Sequence, residues 1–332
     1  MNDFTEENSL EQMAREAVSD AIKRTLKQNL PIVYLRDGRI YREYSDGNIE
    51  LCDFADPEVF SSLAALGLDH YEQGKPKIFP RKGVKSLRVF AGPNGSGKST
   101  IYDYISKRYE SGLFINADEI EKKINRNGFF DLGEFEINSS REKILEFLSS
   151  NSWLATAKGQ EIISTITVSN RLRISSSYPT DSYLAAIIAE LVRDILIVEG
   201  KHFSVETVMS HPSKLDFIEK ALKNGYRCYL YYICTVSPFI NQERVKQRVD
   251  LGGHDVPNEL IEKRYYSSLS NLHKAISLVD RAYLFDNSRK VTSRFKLGDM
   301  LVVESESGKI KHRYSNVLPN WIKYCIDSSI WN

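Results

Sequence analysis

Eight consecutive residues combine glycines, a lysine and a serine at the spacing of a phosphate-binding loop. Residues 92–99 read Gly-Pro-Asn-Gly-Ser-Gly-Lys-Ser, which fits the pattern G-x-x-x-x-G-K-[ST] without a mismatch. In such a loop the glycines let the backbone approach a polyphosphate, which backbone N–H groups and the positive end of the next helix then bind. We therefore expect ATP here, with Lys98 reaching the β and γ oxygens and Ser99 ligating Mg²⁺. The residues expected to bind ATP are Gly92, Asn94, Gly95, Ser96, Gly97, Lys98, Ser99 and Thr100.

Acidic residues close two apolar runs that read as strands. Asp118 follows the run 113–115, and Glu206 and Thr207 end the run 203–207. In open α/β sheets, ligands bind at the carboxyl ends of the strands. Asp118 could accept the proton of an attacking hydroxyl, or it could be the N-cap of the next helix. Glu206 could ligate Mg²⁺ through water or hydrogen-bond a sugar hydroxyl, or it could simply be a polar strand end.

Basic residues bracket a loop at 251–257 that contains two glycines and His254. They are Arg244, Lys246, Arg248 and Arg264. Small kinases often close such a lid over ATP and supply positive charge to the transition state. A solvated helix face explains some of these side chains equally well. His254 could contact phosphate or cap a turn, and residues 286–288 could contact the nucleotide base or form a turn.

The pattern of apolar runs from Leu87 onward alternates between strand and helix. The predicted strands are 87–91, 113–115, 203–207, 228–233 and 281–286. This order predicts an α/β fold with a mostly parallel sheet, helices on both faces and a P-loop after the first strand. The mainly helical stretch from about 119 to 200 is longer than a crossover needs, so we interpret it as an insertion that shapes a substrate pocket.

The rest of the chain is predicted to form two flanking segments. Residues 1–80 read as a small α+β appendage with a helix over about 7–28 and a meander at 31–51, whose turns are marked by Asp-Gly pairs. A linker rich in Lys, Pro and Gly at 74–84 precedes the kinase-like domain at 85–290, and 291–332 form a C-terminal extension. The appendage carries no catalytic constellation.

Composition argues against several classes of function. The 332-residue chain is 42% hydrophobic and 27% charged, with a net charge of +1. This balance lacks the basic footprint of a nucleic-acid binder, and no apolar run approaches the roughly 18 residues of a membrane span. The four cysteines have no C-x-x-C spacing, and they favour buried thiols over disulfides or metal ligands. We therefore expect a cytoplasmic protein.

The ordered set of motifs resembles the zeta toxin family of P-loop kinases. The motifs that carry the resemblance are the loop 92–100, Phe-Ile-Asn-Ala-Asp-Glu-Ile at 114–120, Phe-Ser-Val-Glu-Thr-Val-Met-Ser at 203–210, and the segments 225–233, 244–257 and 283–288. The resemblance implies a toxin of a bacterial toxin–antitoxin system. It would use ATP and Mg²⁺ to phosphorylate a hydroxyl of a nucleotide sugar, which for the family is UDP-N-acetylglucosamine.

The resemblance also implies roles for individual residues. Lys98 and Ser99 would hold the phosphates and Mg²⁺, and Asp118 would be the general base. Arg244 or Arg248 would be the first lid arginine, while His254 or Arg264 would stand near the second. The residues expected to bind substrate are Asn116, Glu206, Thr207, His254 and Arg264.

Other functions stay open at this point. The same mechanism could serve another acceptor, such as a dinucleotide or a different nucleotide sugar. A non-transferring ATPase switch is a further alternative, although the chain has neither a Leu-Ser-Gly-Gly-Gln signature nor a strand that ends in a pair of acids. Because a helical partner covers the nucleotide site in the family, residues 1–80 could act as a fused antitoxin or bind one.

Overall fold

The chain was analysed as a computed structural model, which describes residues 32–36, 39–51, 84–252, 255–289, 297–315 and 317–325. The chain divides into two compact units, Met1–Lys82 with Lys107–Glu110, and Gly83–Ser106 with Ser111–Asn332. The predicted helix over 7–28, almost all of the linker at 74–84, and His254 lie outside the described residues.

The described part of the first unit contains a small antiparallel sheet. Its strands are β1 (Ile32–Arg36), β2 (Arg39–Glu43) and β3 (Ile49–Leu51), in the order β1-β2-β3. The second turn is built by Asp46 and Gly47: the Asp46 carboxylate accepts a hydrogen bond of 2.9 Å from the backbone N–H of Asn48, and Gly47 has φ +80°. The strands agree within one residue with the meander predicted from the Asp-Gly pairs.

The second unit is built on a seven-stranded sheet within the described residues. Its strands are β4 (Ser86–Ala91), β5 (Leu113–Ile115), β9 (Phe203–Thr207), β10 (Arg227–Cys234), β11 (Arg281–Asp286), β12 (Leu301–Glu306) and β13 (Lys309–Arg313). The order is β13-β12-β11-β10-β4-β9-β5, and the five strands from β11 to β5 are parallel. The predicted mostly parallel, P-loop kinase-like α/β fold is therefore confirmed.

Three short strands, ten α-helices and four short 3₁₀ helices also lie within the described residues. The strands are β6 (Phe130–Asp131), β7 (Ile166–Val168) and β8 (Arg173–Ser176). The helices are α1 (Lys98–Ser106), α2 (Ala117–Asn127), α3 (Arg141–Ser149), α4 (Ala157–Ser164), α5 (Ser182–Glu199), α6 (Asp216–Lys223), α7 (Pro238–Asp250), α8 (Asn258–Ser270), α9 (Leu272–Leu278) and α10 (Asn320–Cys325).

The long stretch between β5 and β9 is more than a helical insertion. It holds α2 to α5 and also a second, antiparallel sheet in the order β6-β8-β7, which periodicity did not predict because each strand has only two to four residues. Helix α5 starts at the N-cap Asp181, whose carboxylate accepts from the N–H groups of Tyr183 and Leu184, and it ends at Gly200 in the left-handed region. Most of its side chains are buried in the main core, which fixes its position.

Polar residues at the ends of the parallel strands share one edge of the sheet. β4 leads into the glycine loop, β5 into Asn116, and β9 ends at Thr207. These strands are paired in parallel, so their carboxyl ends face the same side. No helix among the described residues is long and apolar enough to cross a membrane.

Candidate active site

The glycine loop lies between β4 and α1 in a conformation that other residues could not adopt. Gly92 has φ +141°, and a Cβ there would stand 2.0 Å from the carbonyl oxygen of Ile233 on β10. Gly95 has φ +74°, and its Cβ would stand 2.4 Å from the carbonyl oxygen of Asn241 on α7. The loop is therefore packed closely against β10 and α7. Its glycine-only backbone is of the kind found in polyphosphate-binding loops, where the backbone must also come close to the ligand.

Side chains outside the loop hold its backbone in place. The Asn241 amide donates a hydrogen bond of 2.8 Å to the carbonyl of Asn94, and its oxygen accepts one of 2.5 Å from the Thr235 hydroxyl. The Asn287 amide donates a bond of 2.7 Å to the carbonyl of Ser96. Asn241 was not predicted as a site residue, and Asn287, in the segment 286–288 expected to contact the nucleotide or form a turn, supports the loop.

Lys98 is buried at the start of α1 and turns back into the loop. Its Nζ donates to the carbonyl of Pro93 at 3.1 Å and lies 3.7 Å from the Glu206 carboxylate. Burial lowers the pKa of Lys98, while the charges of Glu206 and Asp118 oppose that shift. A buried ammonium between a loop and two carboxylates is suited to bind phosphate oxygens.

The Glu206 carboxylate connects the strand ends. Its Oε2 accepts hydrogen bonds of 3.1 Å from the hydroxyl of Ser99 and 3.1 Å from the amide of Asn116. A hydroxyl and a carboxylate side by side are oxygen ligands of the kind that Mg²⁺ prefers. These residues fit an Mg²⁺ ion held together with nucleotide phosphates.

Asp118 is not the N-cap of its helix. The side-chain oxygen of Asn116 accepts hydrogen bonds of 2.8 Å and 3.3 Å from the N–H groups of Asp118 and Glu119, so Asn116 is the N-cap of α2. The alternative structural role considered for Asp118 is therefore taken by Asn116. The Asp118 carboxylate is exposed, lines the cavity beside Lys98, and is free to act on a proton.

The basic residues that bracket the loop at 251–257 differ in whether they reach the cavity. Arg248 lines the cavity, and so does Arg264, whose guanidinium donates a hydrogen bond of 3.3 Å to the side-chain oxygen of Asn94. Arg244 is half-buried near Asp286, and burial lowers its pKa. Of the two residues considered for the first lid arginine, Arg248 is the one that the structure brings to the cavity.

A cavity of about 340 Å³ joins these residues to the long insertion. Its wall includes the loop, Thr207, Asp255 and one side of α5. Two cations on this wall, Arg193 and Lys214, were not predicted as site residues. Only the tertiary fold brings them to the cavity, but one signal was present: Arg193 interrupts the apolar run of α5.

The fold and the glycine loop together place the protein in the P-loop class of α/β folds. No family model matches the sequence, and no curated protein matches it significantly. Solved structures of similar fold include the complex of AvrRxo1-ORF1 with AvrRxo1-ORF2 crystallised with sulphate ions. It is 14% identical, with a TM-score of 0.42, and the match covers 69% of this chain and 60% of that one. This chain thus spans about three fifths of the length of that protein.

A second similar structure is the PezAT chromosomal toxin–antitoxin system of Streptococcus pneumoniae. It is 13% identical, with a TM-score of 0.41, and the match covers 82% of this chain and 89% of that one. A third is the AvrRxo1-ORF1:ORF2 complex with ATP, 15% identical, with a TM-score of 0.38 and coverage of 69% and 61%. One of these similar folds thus comes from a toxin–antitoxin system.

Proposed function

We propose that the protein is an ATP-dependent kinase that phosphorylates a hydroxyl group of a small molecule. The observation that carries this proposal is that one cavity contains the buried lysine of the glycine loop and the exposed carboxylate of Asp118, which is not the N-cap of its helix. A protein that only hydrolyses ATP needs no enclosed acceptor space, whereas about 340 Å³ suits a small ligand.

The transfer step assigns a task to each group. The acceptor oxygen forms a bond to the γ-phosphorus, the bond from that phosphorus to the β–γ bridging oxygen breaks, and Asp118 takes the hydroxyl proton. Lys98, Arg248 and Arg264 offset the negative charge on the phosphoryl oxygens. Mg²⁺, held by Ser99 and Glu206, would neutralise the β and γ phosphates. ADP and the phosphorylated acceptor are the products.

The proposed acceptor is a nucleotide sugar, with UDP-N-acetylglucosamine as the first candidate because of the motif resemblance to zeta toxins. Asn116, Glu206 and Thr207 are the polar groups proposed to orient it, since they stand next to Asp118 at the strand ends. Another nucleotide or a dinucleotide is the alternative acceptor. A bacterial antitoxin is the proposed protein partner, and residues 1–80 are proposed to regulate the activity. If removing residues 1–80 leaves ATP affinity and toxicity unchanged, that regulatory role is wrong.

The test is a transfer assay with ATP, Mg²⁺ and UDP-N-acetylglucosamine, read by mass spectrometry. We expect a phosphorylated sugar nucleotide from the unmodified chain and a loss of about 10²- to 10⁴-fold in rate from Asp118→Asn, with ATP binding retained. Asp103→Asn is the matched control, because Asp103 is an exposed carboxylate on α1 outside the cavity. If no molecule in an untargeted metabolite mixture becomes phosphorylated, the proposal that the protein is a kinase is wrong.

A further inference from the structure

Arg193 and Lys214 form a second cationic group in the cavity, apart from the phosphate loop. Arg193 lies on α5, and Lys214 ends the short 3₁₀ helix Pro212–Lys214 that follows β9. The charges that act on Lys98 come from Glu206, Asp118 and Arg248. Those that act on Arg193 come from Glu190, Asp194 and Asp216. The two cationic groups therefore belong to different parts of the same cavity.

The carboxylates around this second group are already engaged. Glu190 lies 3.5 Å from the Arg193 guanidinium, but its other oxygen accepts hydrogen bonds from the N–H (3.1 Å) and hydroxyl (2.5 Å) of Ser152. Asp194 is paired with Lys220 at 2.9 Å. Asp216 is exposed in the first turn of α6.

The two cations keep unused capacity to bind an anion. The Nε–H group of Arg193 is buried and makes no hydrogen bond within the described residues. The guanidinium lies 4.3 Å over the ring of Phe217, which fixes its plane. The Lys214 ammonium stands 5.9 Å from the centre of the Trp153 ring. Burial lowers the pKa of both cations, and the charge of Arg193 lowers the pKa of Lys214 further. An anion between them would offset both costs.

We propose that Arg193 and Lys214 are the residues that bind a phosphate group of the acceptor. The inference rests on the proposed function, because it assigns residues to the acceptor that is proposed there. A donor nucleotide on the glycine loop and a phosphorylated acceptor on Arg193 and Lys214 would leave the acceptor hydroxyl near Asp118.

Trp153 offers a direct test because it contacts Lys214. The full chain, with and without ADP and Mg²⁺, is titrated with inorganic pyrophosphate while tryptophan fluorescence is followed, and the signal of Trp153→Phe is subtracted. We expect a saturable change that persists with ADP bound, and an affinity about tenfold weaker in Lys214→Gln, since one charge-assisted hydrogen bond is lost. Lys223→Gln, which alters an exposed lysine on α6 outside the cavity, should behave as the unmodified chain does.

The outcomes separate this inference from the proposed function. If Lys214→Gln and Lys223→Gln bind pyrophosphate equally well, or if no Trp153 signal saturates, the anion site is wrong. Arg193→Lys guards against a folding defect: it keeps the charge and should keep part of the affinity. A signal that depends on Lys214 in a chain that transfers no phosphate would support the anion site while contradicting the kinase. Phosphoryl transfer at an unchanged rate in Lys214→Gln would support the kinase while contradicting the anion site.

Discussion

Replacing Gly95 with alanine tests whether the glycine loop is packed as closely against α7 as the structure shows. The new Cβ would stand 2.4 Å from the carbonyl oxygen of Asn241, whereas real Cβ atoms essentially never come within 3.0 Å of such an atom. Gly128 and Gly225 have nearly the same φ, +76° against +74°, but no atom lies within 4 Å of their Cβ positions. All three substitutions share the backbone strain, and only Gly95→Ala adds the clash.

The magnitudes follow from this comparison. Left-handed backbone costs a non-glycine residue about 1–2 kcal/mol, so Gly128→Ala and Gly225→Ala should each lower the free energy of unfolding by about that amount. The clash should add about 1–3 kcal/mol at Gly95, because the carbonyl it meets is backbone anchored in a helix. Urea unfolding followed by circular dichroism should place the Gly95→Ala midpoint clearly lowest. A midpoint equal to that of Gly128→Ala would refute the close packing of loop and helix.

Three other predictions concern the same site. Arg248→Gln should slow phosphoryl transfer about 10²-fold or more, because Arg248 lines the cavity, whereas Lys246→Gln on an exposed face of α7 should not; equal rates would argue against Arg248 as a lid residue. Asn241→Ala should lower the free energy of unfolding by about 1–3 kcal/mol, measured by urea unfolding, because the Asn94 carbonyl loses the hydrogen bond from this buried side chain. The pKa of Lys98 is lowered from its ordinary value of 10.5, so the ammonium loses its proton as the pH rises through that lowered pKa. ATP affinity, measured by calorimetry, should fall over this pH range. Lys98→Arg should keep its affinity over the same range.

The contribution of Lys98 to the free energy of unfolding should change with pH in the opposite direction to the ATP affinity. Burial lowers the pKa of Lys98 in the folded state, so the unfolded chain binds that proton more readily. The contribution of this residue to the free energy of unfolding therefore rises as the pH increases toward 10.5. The ammonium that phosphate binding needs is the form that burial disfavours.

Local patterns were sufficient to predict the central strands and the glycine loop. The strands at 113–115, 203–207 and 281–286 begin and end where the apolar runs do, because buried parallel strands need apolar residues on both faces. The glycine loop could be recognised because its spacing is set by the ligand. These features depend on neighbouring residues along the chain.

Features that depend on contacts between distant parts of the chain could not be predicted from local sequence patterns. β12 and β13 lie in the predicted C-terminal extension, yet they continue the main sheet beside β11. The hairpin signal was present at Ser307 and Gly308, both in the left-handed region, but the choice of sheet partner is not local. Arg193 and Lys214 could not be predicted for the same reason, since 20 residues, which include the end of α5 and all of β9, separate them along the chain.

The central claim is that Asp118 removes the proton of an acceptor hydroxyl while the loop presents ATP. The most direct measurement is the rate of phosphoryl transfer from ATP to UDP-N-acetylglucosamine, or to the acceptor found in a metabolite mixture, by the unmodified chain and by Asp118→Asn at matched ATP occupancy. We predict a phosphorylated acceptor from the unmodified chain and a rate lower by about 10²-fold or more for the variant. Equal transfer by both proteins, or release of phosphate from ATP without any phosphorylated acceptor, would contradict the account.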